Sequence, residues 1–368
     1  MQWSDLIVIS HLRWAFVWQR PQHLISRLAV GQPTWFVEEP IPGDVDEPTL
    51  RTNQHGAVTQ VWLEMPGAPR HYDFDDPAAD CYVEKLKELV GWKPGRATWL
   101  YTPVAYEMAT ALDPAFVVYD VMDDLASFKN APRRLRQCQD RLLSEADVVF
   151  TGGRSLHRGV TDRRPDAHCF PSGVEAEHFA QARDARSPKP RPVAGYVGVI
   201  DERLDPDLLA GFADALPDWD IHVVGPVLKI APEALPQAPN LIYPGPAPYD
   251  DLPRVLASFD VALMPFALNE GTRSISPTKT LEYLAAGLPV VSTKVPDVVT
   301  DYGDVVAFAS EPGSFAEACR AVLADDPADR QRRVLPLLKR HHWDAIATRM
   351  STVLATASAD VNALEESV

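Results

Sequence analysis

Asn269-Glu-Gly-Thr-Arg-Ser-Ile-Ser-Pro-Thr-Lys-Thr-Leu-Glu-Tyr-Leu-Ala-Ala-Gly-Leu-Pro-Val-Val-Ser292 is the densest run of chemistry-bearing residues in the chain. It follows an apolar stretch ending at Met264-Pro265, crosses a polar loop, and enters a helical pattern at about Pro277 that stops at Gly287-Leu-Pro289. A second β-branched stretch, Val290–Thr293, comes next, so the order strand, loop, helix, strand predicts a parallel βαβ unit. The start of such a helix presents unpaired backbone N–H groups and a partial positive charge, which suits a diphosphate. Ser276, Thr278 and Thr280 add hydroxyl donors there, and Lys279 adds a full charge. Glu282, about one turn further on, is placed to accept hydrogen bonds from two ribose hydroxyls. Taken singly these residues read as a cap, a solvated lysine and a surface acid. Together, at the carboxyl end of a parallel strand, they point to a nucleotide site.

The same alternation extends in both directions. In the second half, Val193–Ile200, Asp220–Val224, Leu241–Tyr243, Val261–Pro265, Val290–Thr293 and Val305–Ala309 read as strands. Helices fit Asp207–Leu216, Tyr249–Phe259, Pro277–Ala286 and Ser314–Ala324. In the first half the strands are Leu6–Ser10, Thr34–Glu38, Val58–Leu63, Thr98–Thr102, Phe116–Val121 and Val148–Thr151, with helices near Pro21–Val30, Pro77–Val90 and Pro132–Ala146. Pro21 and Pro132 suit first-turn positions. Between the halves, residues 181–192 are polar, charged and proline-rich, which reads as a linker. The expected organisation is an α/β chain with domains at 1–180 and 193–340. A last helix within 341–368 presents Ile346, Met350, Val353 and Leu354 on one face, and either crosses back to the first domain or stays on its own.

Composition narrows the function classes. A chain of 368 residues suits two cores rather than one. Its net charge of −16 excludes a general nucleic-acid binder, which needs a basic face. The four cysteines, Cys81, Cys138, Cys169 and Cys319, lie far apart with no CxxC pair, and read as buried thiols rather than metal ligands. Neither a basic leader nor an apolar stretch of membrane-spanning length is visible, so a cytoplasmic protein is expected. The 34 prolines, scattered between apolar runs, punctuate turns.

Three further stretches agree with the opening one. Gly195-Tyr-Val-Gly-Val-Ile-Asp-Glu-Arg-Leu-Asp205 follows the strand pattern with a loop carrying Gly198 and Arg203. Ser10-His-Leu-Arg-Trp-Ala-Phe-Val-Trp-Gln-Arg-Pro-Gln-His-Leu24 and Tyr119-Asp-Val-Met-Asp-Asp124 follow strands of the first half. In this order they resemble GT-B glycosyltransferases, especially the family 4-like and TuaH-like enzymes of bacterial cell-surface polysaccharide assembly. The resemblance implies two Rossmann-like domains facing a central cleft, with the nucleotide-sugar on the C-terminal one. It implies that Arg203 and the Gly198 loop face the donor phosphates, and that the Tyr243–Tyr249 turn contacts the base through backbone groups. Many retaining relatives place two glutamates eight positions apart, whereas Ser274 stands eight before Glu282 here, so the stereochemical outcome is not carried over.

On the first half, Asp120, Asp123 and Asp124 cluster beyond a strand end, and Asp123 is the candidate base for an acceptor hydroxyl. Asp124 also fits a helix cap, and Asp120 a structural pair with an arginine. His11, Arg13, Trp14, Gln19 and Arg20, with Trp18 beside them, are candidates for acceptor binding, since aromatic faces stack on sugars and His and Arg bind hydroxyls or phosphate. No DxD pair stands in a metal-binding context, and the Asp73-Phe-Asp-Asp76 run reads as a solvated loop, so no metal and no cofactor are expected. Residues 129–164 carry nine Lys or Arg against four Asp or Glu. Arg133, Arg134, Arg136 and Arg141 on one helix either rest on an anionic membrane holding a lipid-linked acceptor or are simply solvated. The expected activity is sugar transfer from a nucleoside diphosphate sugar, UDP-sugar first, to a glycan or lipid-linked hydroxyl. Its rivals are a nucleotide-sugar epimerase on the same fold and a non-catalytic nucleotide-sugar-binding or partner protein.

Overall fold

The computed structural model describes residues 3–68, 70–77, 80–123 and 133–365, with side chains to 359. The chain divides into two compact units, residues 1–152, 156–170 and 346–368 in the first and 153–155 and 171–345 in the second.

The first unit is built on β1 (Leu6–Ser10), β2 (Thr34–Glu38), β3 (Ile41–Pro42), β4 (Thr49–His55), β5 (Val58–Met65), β6 (Ala97–Leu100), β7 (Phe116–Val121), β8 (Val148–Thr151) and β9 (His168–Cys169). Their order is β3-β5-β2-β1-β6-β7-β8-β9, all parallel, with β4 antiparallel on β5. β1 is buried along its whole length, as a continuous apolar run covered on both faces must be. Helices α1 (Arg20–Leu28), α2 (Cys81–Val90), α3 (Tyr106–Ala111), α4 (Arg133–Glu145) and α5 (Arg154–Val160) complete it. Leu86 of α2 and Leu142 of α4 join Ile7, Ile9, Val37 and Leu100 in one core. The strands expected from the sequence are present. The β4–β5 hairpin, α3 and α5 were not foreseen, and α2 begins at Cys81 rather than Pro77. The expected first-turn Pro132 lies outside the described residues.

The second unit contains α6 (Ala176–Asp184), β10 (Val193–Val197), α7 (Pro206–Ala215), β11 (Asp220–Val224), β12 (Leu241–Gly245), α8 (Leu252–Ala257) and β13 (Val261–Met264). It continues with α9 (Glu270–Arg273), α10 (Lys279–Ala285), β14 (Val290–Ser292), α11 (Pro296–Tyr302), β15 (Val306–Phe308), α12 (Pro312–Ala324) and α13 (Pro327–Arg340). Its sheet order is β12-β11-β10-β13-β14-β15, all parallel. Numbered within the unit this is 3-2-1-4-5-6, the dinucleotide-fold order, whose direction of winding reverses between β10 and β13. The crevice beyond the carboxyl ends of those two strands is where such sheets bind ligands.

Two expectations are corrected here. Residues 181–192 are not a free linker, because α6 runs to Asp184 and the unit begins at 171. Arg183 and Arg186 donate to the last carbonyls of α10, at Ala285 and Ala286, which ties this polar stretch down. The cysteines also differ, since Cys138 and Cys319 are buried but Cys81 and Cys169 are only half-buried.

The last helix, α14 (Trp343–Glu365), starts in the second unit and belongs to the first from Ile346 onward. Ile346, Met350 and Leu354, spaced four apart, are fully buried, and the Arg349 guanidinium lies 5.4 Å from the Phe170 ring centroid. Val353 sits at the margin of that buried stripe.

Candidate functional site

In the second unit the strand ends converge on Gly198. It has φ +152°, and a Cβ there would stand 2.0 Å from Lys279 Cε, 2.6 Å from Nζ and 2.8 Å from the Tyr196 hydroxyl. The Lys279 side chain therefore lies directly across the glycine, and only a residue without a Cβ admits it. Gly225, at the end of β11, has φ +153°, and a Cβ there would stand 1.8 Å from Gly198 O. Two glycines thus let adjacent strand ends approach backbone to backbone. Gly198 N donates to Val224 O at 2.9 Å and closes the loop against β11.

α10 supplies the rest of the site. It begins at Lys279, two residues later than the sequence indicates, with Thr278 as its N-cap residue. Tyr283 anchors the helix to β10. Val197 N donates to its hydroxyl at 2.8 Å, and that hydroxyl donates to Val197 O at 3.2 Å. Lys279 Nζ sits 6.0 Å from the Tyr196 ring centroid. Burial pushes the Lys279 ammonium below its ordinary range, with Glu282 and Asp201 opposing that shift and Arg203 adding to it. Burial pushes the Glu282 carboxyl up, while Lys279, the Thr278 hydroxyl and His178 pull it down. Desolvation disfavours both charges, and an anion over Lys279 would favour its ammonium form.

Arg203 is not a bare cation. Its Nε and Nη2 meet the Asp201 carboxylate at 2.7 to 3.0 Å, and its own N–H donates to Asp201 Oδ1 at 3.0 Å. Asp201 is 3% exposed while the Arg203 side chain is 40% exposed, so a buried acid fixes a guanidinium at the lip of the crevice. Thr280 departs from expectation altogether. It is fully buried and donates to Met264 Sδ at 3.3 Å, so its hydroxyl faces the sheet and not a phosphate. Its spacing to Tyr283 and Leu284, i, i+3 and i+4, is the core-face signal. Ser276 is half-buried and packs near Gly153. At the end of β12, Gly245 O accepts from Gly225 N at 3.0 Å, and beyond it the Tyr249 ring stacks on His178 with centroids 4.5 Å apart. Sequence reasoning missed Asp201, Tyr196, Gly225, Tyr283 and His178. Asp201, Tyr196 and Tyr283 lie inside the motifs named above, and only their contacts reveal their roles.

The first unit revises several candidate acceptor residues. Arg20 is 3% exposed and chelates the fully buried Asp120, with Nε to both oxygens at 3.2 and 3.0 Å and Nη2 to Oδ1 at 2.9 Å. Its Nη1 donates to Phe170 O at 2.7 Å, so it locks the fold rather than binding an acceptor. Trp14 is 4% exposed, packed edge-on against Phe36, and cannot stack on a sugar. Arg13 is held by Glu38 at 3.3 Å and by the carbonyls of Glu39 and Pro40. Gln19 caps α1, and its N–H donates to Gln22 Oε1 at 3.1 Å. His11 and Asp123 come together. Burial pushes the His11 imidazole down, the Asp123 charge opposes that, and among the described residues the buried Nδ1 has no hydrogen-bond partner. Asp124 lies outside the described residues.

The acidic run is not merely solvated, since Asp76 pairs with Arg70 and Asp75 pairs with Arg134 at 2.9 Å. Arg141 pairs with Glu107 at 2.6 Å and with Glu145 at 3.4 Å. Arg134 and Arg141, two of the four arginines proposed for membrane contact, are thereby paired with acids, and all four side chains are exposed. Among the described residues no helix is long and apolar enough to cross a membrane.

Comparison with known proteins defines the class. Over 97% of this chain and 100% of the other, the structure matches sucrose-phosphate synthase from Thermosynechococcus elongatus with a TM-score of 0.73 and 15% identity. An E. coli structure described as trehalose-6-phosphate bound with UDP-2-fluoro glucose matches over 96% and 99%, with a TM-score of 0.69 and 14% identity. The chain has the GT-B fold of these proteins, two Rossmann-like domains. Residues 191–325, which hold the whole Gly198–Lys279 site, match the family described as glycosyl transferases group 1. A candidate teichuronic acid biosynthesis glycosyltransferase, TuaH of Bacillus subtilis strain 168, is 30% identical over 207 residues, 52% of each chain. The 2-deoxystreptamine glucosyltransferase of Streptomyces kanamyceticus is 32% identical over 149 residues, 37% of each. The matched part thus spans about half the length of the first relative and just over a third of the second.

Proposed function

We propose that the protein is a glycosyltransferase that moves a sugar from a nucleoside diphosphate sugar to a hydroxyl of a glycan or lipid-linked acceptor in surface polysaccharide assembly. The observation that carries this reading is the half-buried Lys279 laid across Gly198 at the switch point of a 3-2-1-4-5-6 sheet, with Glu282 on the next turn. Lys279 neutralises the diphosphate, Arg203 braced by Asp201 adds a second donor at the rim, and Glu282 takes the ribose. Gly198 and the hydroxyls of Ser276 and Thr278 border the phosphates. These groups supply the charge stabilisation that leaving-group departure needs, so the reaction is assigned no metal and no cofactor.

A UDP-sugar is the preferred donor, supported by the match to a structure whose description includes UDP-2-fluoro glucose. The surface-polysaccharide role is supported by the TuaH likeness. On the first unit, Asp123 is assigned the acceptor base, with His11 beside it. The protein is placed in the cytoplasm, with the exposed Arg133, Arg134, Arg136 and Arg141 of α4 as the candidates for contact with the inner face of the membrane.

The test is release of UDP from a panel of UDP-sugars with and without a bacterial lipid extract. Acceptor-dependent release supports transfer. A change in the sugar without acceptor would instead identify an epimerase, and no turnover with any donor would leave a binding protein.

A further inference from the structure

At the far end of α10 from Lys279, the second unit has a cavity of about 190 Å³ lined by Arg183, Arg186, Arg330 and Gln331, with Gly287 and Leu288 on its apolar side. Two of the guanidiniums are fixed in place. Arg183 gives Nε and Nη2 to Ala285 O at 3.1 and 2.8 Å, and Arg186 gives Nη2 to Ala286 O at 2.9 Å. Arg330, on α13, is 9% exposed and among the described residues donates only to the Val322 carbonyl, at 3.5 Å. Among the described residues no carboxylate stands within ion-pair distance of any of the three.

Of the acids nearby, exposed Asp325 and Asp326 favour the Arg330 charge from outside ion-pair distance, and two are engaged elsewhere. Asp260 takes Lys189 Nζ at 2.9 Å and Val193 N at 2.8 Å, and Asp326 caps α13 through Ala328 N at 3.0 Å. Burial disfavours the charge on Arg186 most, Arg330 and Arg183 add to that, and Asp260 opposes it. Three converging cations in a chain of net charge −16 run against the overall trend and concentrate repulsion in one concave site.

We propose that this cavity is a binding site for a phosphate-bearing anion, clasped by Arg183, Arg186 and Arg330. A planar guanidinium matches phosphate oxygens with two parallel hydrogen bonds, and a dianion relieves the repulsion among all three. The volume accommodates inorganic phosphate or a small phosphomonoester, and falls below the roughly 300 Å³ at which pockets for larger organic ligands begin. The phosphate comes either from solution or from the headgroup of an anionic lipid.

Calorimetric titration with inorganic phosphate at low ionic strength tests the site. It is run in a Lys279→Ala background, which disables the proposed nucleotide site while leaving this cavity intact. One saturable phosphate site is expected to persist there. Adding Arg186→Gln or Arg330→Met is expected to weaken it at least about tenfold, the scale of one lost charge-assisted hydrogen bond. Methionine keeps the buried apolar stem of Arg330, and the melting temperature without phosphate checks that the fold survives. Flotation with phosphatidic acid vesicles against phosphatidylcholine vesicles separates the sources. Arginine-dependent capture by phosphatidic acid assigns the headgroup, and phosphate binding without capture assigns the free anion. Absence of both, or phosphate affinity unchanged in the arginine variants, overturns the proposal.

Discussion

Replacing Gly198 with alanine places a methyl group where the Lys279 side chain runs, 2.0 Å from Cε and 2.6 Å from Nζ. The backbone φ of +152° adds strain on the order of 1–3 kcal/mol, which appears as lost stability. The lysine, being the flexible partner, swings away and takes its ammonium off the phosphate position. Loss of one charge-assisted hydrogen bond is worth on the order of 1.5–3 kcal/mol, roughly a ten- to hundredfold fall in affinity for UDP. Calorimetry with UDP measures the affinity and thermal unfolding measures the strain. Gly56→Ala separates the two effects, since Gly56 has φ +59° with no atom within 4 Å of a built Cβ. It should lower stability while leaving UDP binding unchanged. In the Gly198→Ala/Lys279→Ala double variant, the glycine substitution should cost no further affinity beyond that of Lys279→Ala, because both act on one contact. UDP affinity at the wild-type level in Gly198→Ala would refute the placement of Lys279 over the diphosphate.

Three other outcomes are expected. Arg20→Ala strands the Asp120 carboxylate at 0% exposure and should destabilise the fold by about 3–5 kcal/mol, read in urea unfolding; a loss below about 1 kcal/mol would deny the clamp its structural role. Asp123→Asn should lower transfer by roughly 100-fold with donor binding intact, and near-normal turnover would move the base elsewhere. Glu39 is 8% exposed, and its carboxyl is pushed up to about 7, by burial first, with Arg13 opposing and Asp73 and Asp75 adding. Because the folded state then holds the proton more tightly than the unfolded one, this contribution is full below about pH 4.5 and fades as the pH rises through about 7, roughly 3 kcal/mol in all. Glu39→Gln should remove that slope from stability measured between about pH 5 and 7.5, and an unaltered slope would assign it to other groups.

Strands such as β1, β8, β10 and β13 were legible because each is a short apolar, β-branched or aromatic run buried along its whole length. β4 was not, since Thr49-Leu-Arg-Thr-Asn-Gln-His55 is polar and largely exposed and is held by backbone pairing with β5 rather than by an apolar pattern. α13 was hidden by Pro336 in its interior and by a charged surface that leaves only Val334 and Leu338 as buried apolar anchors. The convergence of Gly198, Lys279 and Glu282 could be expected because they sit in two local motifs at adjacent strand ends. The neutralisation of Arg20 by Asp120 could not, because those residues are 100 positions apart and meet only through the sheet order. Asp201 lies two residues from Arg203, and a sequence cannot show whether such a neighbour pairs with the arginine or leaves it to a ligand. Thr280 was misassigned because its hydroxyl was counted with the loop donors although the helix period turns it toward Met264.

The central claim is that the crevice at Gly198, Lys279 and Glu282 binds the nucleoside diphosphate without metal. Titration of UDP into the wild type, Lys279→Ala and Glu282→Gln in the presence of EDTA tests it most directly. Saturable binding to the wild type, with both variants weakened at least about tenfold and melting as the wild type does, is the predicted result. Equal UDP affinity in all three proteins, or binding to the wild type that vanishes with EDTA, would contradict it.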